Sequence, residues 1–216
     1  MSKEALSLFY TRSIANTVTN LIARMSSDTD SDSPCEQHHF ESLTRPNCFG
    51  YSNILSDPQL FKAVISCMAA RANSLGAKTI AGIGSQGYIF AAPVALELSL
   101  PLVLISKEGK THGNVIKASY IKDYEEHHLE IEERSSLSSV VIIDFMLVTG
   151  ATISCAAELV RKAGGSVAGA VVLFESEGLG GRAKLLDNNI QLDMFLTKSD
   201  SPSSDSLSSS VQTTGC

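Results

Sequence analysis

Long apolar runs are missing from this sequence. No window approaches the roughly 18 consecutive apolar residues that a membrane-spanning helix needs, so a helical span is excluded. CxxC pairs are missing too. The five cysteines (Cys35, Cys48, Cys67, Cys155 and Cys216) are odd in number and scattered, which suits neither a zinc site nor a disulfide framework. They read as reduced thiols of a cytoplasmic protein. Positive charge is in deficit: 17 Lys+Arg stand against 23 Asp+Glu, a formal net charge of -6. A surface that binds nucleic acid through its phosphates needs the opposite balance, so that class is excluded. An uninterrupted apolar stretch near the start is also absent. Asn16, Thr17 and Asn20 break residues 1–25, which argues against a secretory signal. Lys3, Arg12 and Arg24 against the single acid Glu4 leave two readings of that segment, a docked amphipathic helix or a mitochondrial presequence. Charged residues make up only 19% of the chain, short of the usual quarter or so.

Two serine-rich segments account for much of that shortfall. Residues 26–34 read SSDTDSDSP, and residues 199–216 read SDSPSSDSLSSSVQTTGC. Neither buries enough apolar surface to offset the entropy of ordering. The expected division is an N-terminal helix with a flexible acidic segment over 1–35, a folded domain over 36–198, and a disordered tail over 199–216. Within the domain the periodicity alternates. Asp57-Pro58 opens a helix whose apolar positions Phe61, Val64, Ile65, Met68 and Ala72 recur at three- and four-residue spacing. Gly76 ends it. A strand is expected at 79–83, a turn at 84–87, a helix at 88–98 and a strand at 102–106. Residues 107–119 are polar and glycine-containing, and 120–124 and 128–132 look like exposed strand pieces. Residues 140–144 (VVIID) form an apolar run ending in an acid, the mark of a strand covered on both faces. A helix at 153–163 stops at Gly164-Gly165, and strands follow at 167–174 and 192–196. This order predicts an α/β fold, a mostly parallel twisted sheet flanked by helices.

Ligands of such sheets bind beyond the carboxyl ends of the strands, so the loops there carry the chemistry. Gly82-Ile83-Gly84-Ser85-Gln86-Gly87 reads as GxGxxG between a strand and a helix. Glu108 lies about 20 residues on, where a dinucleotide fold places its ribose-binding acid. The same glycines equally serve a tight turn. A second loop, from Asp144 to Thr152 (DFMLVTGAT), points to other chemistry. Thr149, Gly150, Ala151 and Thr152 would present successive N–H groups and two hydroxyls at a helix N-terminus, a cradle for a phosphate monoester. Asp144 at the strand tip suits ribose hydroxyls. No Lys follows Gly150, which excludes a Walker-type loop. As a plain helix start, Thr149 or Thr152 would serve only as a cap. Other residues have structural readings. His127 and His128 point to opposite faces of a strand, His112 is solvated, Cys155 is a small buried helix residue, and Glu175 and Glu177 are solvated loop acids.

The motif strand-Asp-x-x-Leu-x-Thr-Gly-x-Thr resembles the phosphoribosyl-diphosphate (PRPP) site of type I phosphoribosyltransferases. Over residues 55–186 the chain is similar to the adenine branch of that family, through SDPQLF, AGIGSQGYIF, ALELSLPLVLISKEGK, KASYIKDY, LEIEE and VVIIDFMLVTGAT. The ASY-then-LEI pair is the part most specific to that branch. The resemblance implies the type I fold with a small N-terminal hood. It implies transfer of a phosphoribosyl group from PRPP to adenine, giving AMP and diphosphate in purine salvage, with Mg²⁺ on the diphosphate. It also implies a homodimer, or a heterodimer with a homologue. By resemblance Val148, Thr149, Gly150, Ala151 and Thr152 hold the 5-phosphate, and Asp144 holds ribose hydroxyls. Ser85, Gln86 and Gly87 form the diphosphate turn, with Lys107 and Lys110 as its cations on a mobile lid over 107–120. Asp123 faces a purine nitrogen as the catalytic acid.

This sequence departs from the family pattern at several of these places. Phe145 stands where the family has a second strand-tip acid. Gln86 stands where the adenine enzymes carry an arginine, which removes charge and a bidentate fork. The region of Phe49-Gly50-Tyr51 lacks the arginine that helps hold adenine, and Asp123 replaces a glutamate. Two readings follow. The chain is an adenine phosphoribosyltransferase-like enzyme weakened at base, ribose and diphosphate. Alternatively, it is a non-catalytic paralogue that binds AMP or a sugar phosphate, or partners an active homologue.

Overall fold

A computed structural model describes residues 51–122, 124–133, 137–176 and 178–198. The expected N-terminal helix with its acidic segment, the serine-rich tail, Phe49-Gly50, Asp123 and Glu177 lie outside the described residues.

A short helix α1 (Tyr51–Ser56) precedes α2 (Pro58–Ser74). Asp57 starts α2 because its carboxylate accepts the Gln59 and Leu60 N–H groups at 3.0 and 3.1 Å, with Pro58 pre-set in the first turn. β1 (Thr79–Ile83) is buried along its whole length and runs straight into α3 (Gly84–Glu97). The residues expected as a turn at 84–87 are thus the first turn of a helix. β2 (Leu102–Lys107) follows. The two expected strand pieces are one regular hairpin, β3 (Val115–Lys122) and β4 (Glu125–Glu132), in which Ala118 faces Leu129 and Tyr120 faces His127. Half of the expected lid is therefore strand, and only residues 108–114 remain as loop between β2 and β3.

β5 (Val140–Leu147) runs three residues past Asp144, and α4 (Ala151–Lys162) leads to β6 (Val167–Ser176). A further helix, α5 (Gly181–Asp187), was not expected from the sequence; β7 (Leu192–Lys198) closes the sheet. Strand order is β3-β4-β2-β1-β5-β6-β7. The five strands from β2 to β7 pair in parallel, and the β3–β4 hairpin adds on antiparallel through β4.

Alternation along β5 separates the two cores. Val141, Ile143 and Phe145 pack under α1, α2 and α3 with Ile54, Met68, Phe90 and Val94. Val140 and Ile142 pack under α4 and α5 with Ile153, Leu159 and Leu185. Helices therefore cover both faces, as the apolar strands predict. Cys155 is a buried free thiol, and burial pushes it up to about 11. Cys67, buried on α2, is disulfide-bonded, so the expectation of an all-reduced set fails there.

Candidate functional site

Chain order makes the site. β1 sits between β2 and β5, the helix after β1 packs on one face, and the helix after β5 packs on the other. The two leaving loops part at this point, and a crevice opens between them. A cleft of about 580 Å³ occupies it. Ser85, Gln86, Lys107, Asp144, Val148, Thr149, Gly150, Ala151 and Thr152 all line it. Three elements distant in sequence are thus brought onto one cavity, as the motifs imply.

Both helices that point at the cleft start without a side-chain cap. α3 begins after Ile83, and α4 begins after Gly150 at φ 73. Neither Ile83 nor Gly150 offers a side-chain acceptor to the first-turn N–H groups, and helix starts of this kind suit an anion. Neither Thr149 nor Thr152 acts as the cap of α4. Gly150 is required twice over. Its φ lies in the left-handed region, and a Cβ there would meet the Gly181 carbonyl oxygen at 2.8 Å.

Gly87 belongs to packing rather than to the turn's ligand face. It is buried and does not line the cleft. A Cβ there would meet the Ile143 carbonyl oxygen at 2.8 Å, so the glycine lets α3 lie close on β5. Ser85 and Gln86 are exposed on the cleft side. Tyr88, one residue on, ties α3 to β2: its hydroxyl reaches the Ile105 carbonyl and Ser106 Oγ, both at 2.9 Å. Burial pushes that hydroxyl's pKa up, so it stays a neutral tether.

Asp144 is half-buried at the cleft, and its Oδ1 accepts the Phe145 N–H at 2.7 Å. Phe145 points away from the cleft. It stacks on Phe90 at 5.7 Å between ring centroids and meets Phe174 edge-on at 5.2 Å, with Phe61 against Phe90 beyond. The residue standing where the family has a second acid is therefore part of an aromatic core, 4% exposed.

The two expected lid cations separate. Lys107, at the end of β2, lines the cleft, whereas Lys110 lines a distinct pocket of about 300 Å³ with Thr111 and His112. Glu130 explains why. It is a buried carboxylate on β4 that accepts the Lys110 and Thr111 backbone N–H groups at 2.8 and 2.6 Å. Burial pushes its pKa up, but hydrogen bonds from the Thr111, Gly109 and Lys110 N–H groups outweigh that and hold it below its ordinary value. Glu108 is engaged elsewhere, with Lys117 Nζ at 2.7 Å, so it is not a ribose-binding acid. Glu175 is likewise no solvated loop acid. It is buried and holds Arg182 through three hydrogen bonds of 2.5 to 3.2 Å.

Tyr120, expected at the end of the lid, His127, expected to be structural, and Lys184, which sequence reasoning missed, also line the cleft. The hairpin delivers the first two, whose rings lie 5.5 Å apart; α5 delivers the third. The glycine pair at 180–181 was the available signal for α5, since adjacent glycines mark either a turn or a close backbone approach.

A sequence model of the phosphoribosyl transferase domain matches residues 50–200. The chain belongs to the phosphoribosyltransferase family. Within that family it is similar to the adenine phosphoribosyltransferase of Caenorhabditis elegans, 44% identical over 114 residues. That match covers 52% of this chain and 62% of the relative. The solved adenine phosphoribosyltransferase of Thermoanaerobacter pseudethanolicus superposes with a TM-score of 0.64 at 30% identity, covering 68% of this chain and 85% of that one. The enzyme of Giardia lamblia, solved with 9-deazaadenine, gives 0.64 at 29%, covering 69% and 85%. This phosphoribosyltransferase is thus an adenine-branch-like type I member, with the mostly parallel seven-stranded sheet of that fold.

Proposed function

We propose that this phosphoribosyltransferase binds PRPP and adenine in the cleft and forms AMP and diphosphate, slowly. The observation that carries the reading is the convergence of the loop at 148–152, Asp144, the α3 turn and Lys107 on one cavity. The uncapped N–H groups of α4, with Thr149 and Thr152, hold the 5-phosphate. Asp144 orients ribose hydroxyls beside it. The α3 N-terminus with Ser85 and Gln86, together with Lys107, receives the diphosphate. The transition state is oxocarbenium-like, so these residues act by positioning and by steadying the departing negative charge. Asp123 acts at the purine ring.

Mg²⁺ enters as part of the substrate, on the diphosphate. Such an ion is held through one or two carboxylates plus substrate oxygens. Asp144 is the one carboxylate lining the cleft among the described residues, which fits an ion carried by the ligand. The ion supplies charge neutralisation of the leaving diphosphate.

Gln86 favours the second reading, a protein that holds AMP or a sugar phosphate without turnover, because a neutral amide meets the diphosphate where relatives use a guanidinium. One experiment separates the two. Full-length protein with PRPP, adenine and Mg²⁺ is expected to release diphosphate at about 10² to 10³ below ordinary family rates, the usual effect of losing one transition-state contact. Gln86→Arg is expected to recover part of that. AMP bound by calorimetry without turnover in either protein leaves the binding paralogue; neither turnover nor AMP binding refutes the assignment of the site.

A further inference from the structure

We infer that Lys184 on α5 is a binding residue for the phosphate monoester, supplying from outside the loop the positive charge that the loop itself lacks. This rests on the reading of the cleft as a 5-phosphate site. The loop at 148–152 contains no cation, and no lysine follows Gly150. Among the described residues Lys184, on α5, and Lys107, at the end of β2, are the two lysines that line the cleft. Neither lysine is paired with a carboxylate among the described residues.

The placement of Lys184 is constrained by backbone packing. Gly181 lies directly beneath the Val148 carbonyl, where a side chain would not fit, and Gly150 faces the Gly181 carbonyl in return. Lys184 is three residues after Gly181, so it lies on the same helix face, and its Cβ stands 3.4 Å from where a Gly150 Cβ would be. The Arg182–Glu175 ion pair clamps the helix from the neighbouring side. Its exposed stem therefore emerges at the edge of the loop with the ammonium free to reach an anion there. The chain carries a net charge of -6, so a phosphate dianion gains little from the protein as a whole and depends on local cations. Its contact with Gly150, in the loop that opens α4, assigns Lys184 to the monoester rather than to the diphosphate.

The test is calorimetry on the full chain with three probes: ribose 5-phosphate, AMP and magnesium diphosphate. Lys184→Gln is expected to weaken ribose 5-phosphate and AMP about tenfold, the worth of one charge-assisted contact, and to leave magnesium diphosphate unchanged. Lys184→Arg is expected to retain binding. Lys162→Gln, which removes an equal charge from the surface pair with Glu158, is expected to change nothing, and thermal melts check that each variant is folded. Unchanged ribose 5-phosphate affinity in Lys184→Gln overturns the inference while leaving the cleft reading intact. An equal loss for all three probes overturns its assignment to the monoester. Wild-type protein that binds neither AMP nor ribose 5-phosphate overturns the cleft reading, and the inference with it.

Discussion

Gly150→Ala tests how the phosphate loop is built, because its effect divides into two parts with separate controls. The first part is conformational. Alanine at φ +73 occupies the left-handed region at about 1–2 kcal/mol. The second is steric. The new Cβ would lie 2.8 Å from the Gly181 carbonyl oxygen, whereas ordinary contact begins at 3.4 Å. Both groups are backbone, so relief requires moving the start of α4 away from α5, an overpacking penalty of about 1–3 kcal/mol. Gly164 supplies the control. It has φ +77 with nothing within 4 Å of its would-be Cβ, so Gly164→Ala carries the conformational part alone. In a domain of this size each kcal/mol moves the Tm by about 2–4 °C. Gly150→Ala is therefore expected to lower it by about 4–20 °C, and Gly164→Ala by about 2–8 °C, in thermal unfolding followed by circular dichroism. Displacing the loop also displaces its N–H groups, so Gly150→Ala is expected to weaken ribose 5-phosphate at least tenfold, with Gly164→Ala unchanged. Equal melting of the two variants, with ligand bound as in the wild type, would refute the claim that α5 backs the loop.

Two further outcomes follow from buried groups. Glu130→Gln removes the charge that holds the Lys110 and Thr111 N–H groups and is expected to destabilise the protein by about 1–3 kcal/mol at pH 7. Because the folded pKa is depressed, this contribution is present above the ordinary glutamate value. It fades as pH falls through the folded pKa, so the difference between variant and wild type should vanish in acid. A gap in urea midpoints that is unchanged from pH 7 to pH 3 contradicts the role given to the carboxylate. Phe145→Asp, which restores the family's residue type, is expected to place a carboxylate among Phe90 and Phe174 and to lose about 3 kcal/mol or more. A variant that melts like the wild type and turns over PRPP faster would show that this position does face the ligand.

The part of the site legible in the sequence was the part encoded locally. Val148 to Thr152 follow an apolar strand and open a helix, and glycine at position 150 admits a left-handed cap; these are properties of adjacent residues. Asp57-Pro58 and β1 were legible for the same reason, since capping and an unbroken apolar run do not depend on distant partners. Gly87 was misread because a glycine that permits close packing looks the same in sequence as one that frees a turn. Lys110 was misread because Glu130, twenty residues away, draws its backbone off the cleft. Phe145 shows the same limit: adjacency to Asp144 suggested a lost ligand, but strand alternation turns it into the opposite core.

By itself the sequence determined the order of strands and helices, the anion-suited loop and the family. Hydrophobic period, caps and glycine positions are short-range, and each acts within a few residues of its cause. Only the tertiary structure decided which charges share the cleft. That depends on which helix lies against which loop, and α5 reaches the loop through a contact between two glycine backbones that no side-chain pattern announces. Lys107 and Lys184 lie 77 positions apart, yet both line one cavity; the parallel sheet, by parting its loops beside β1, is what puts them there.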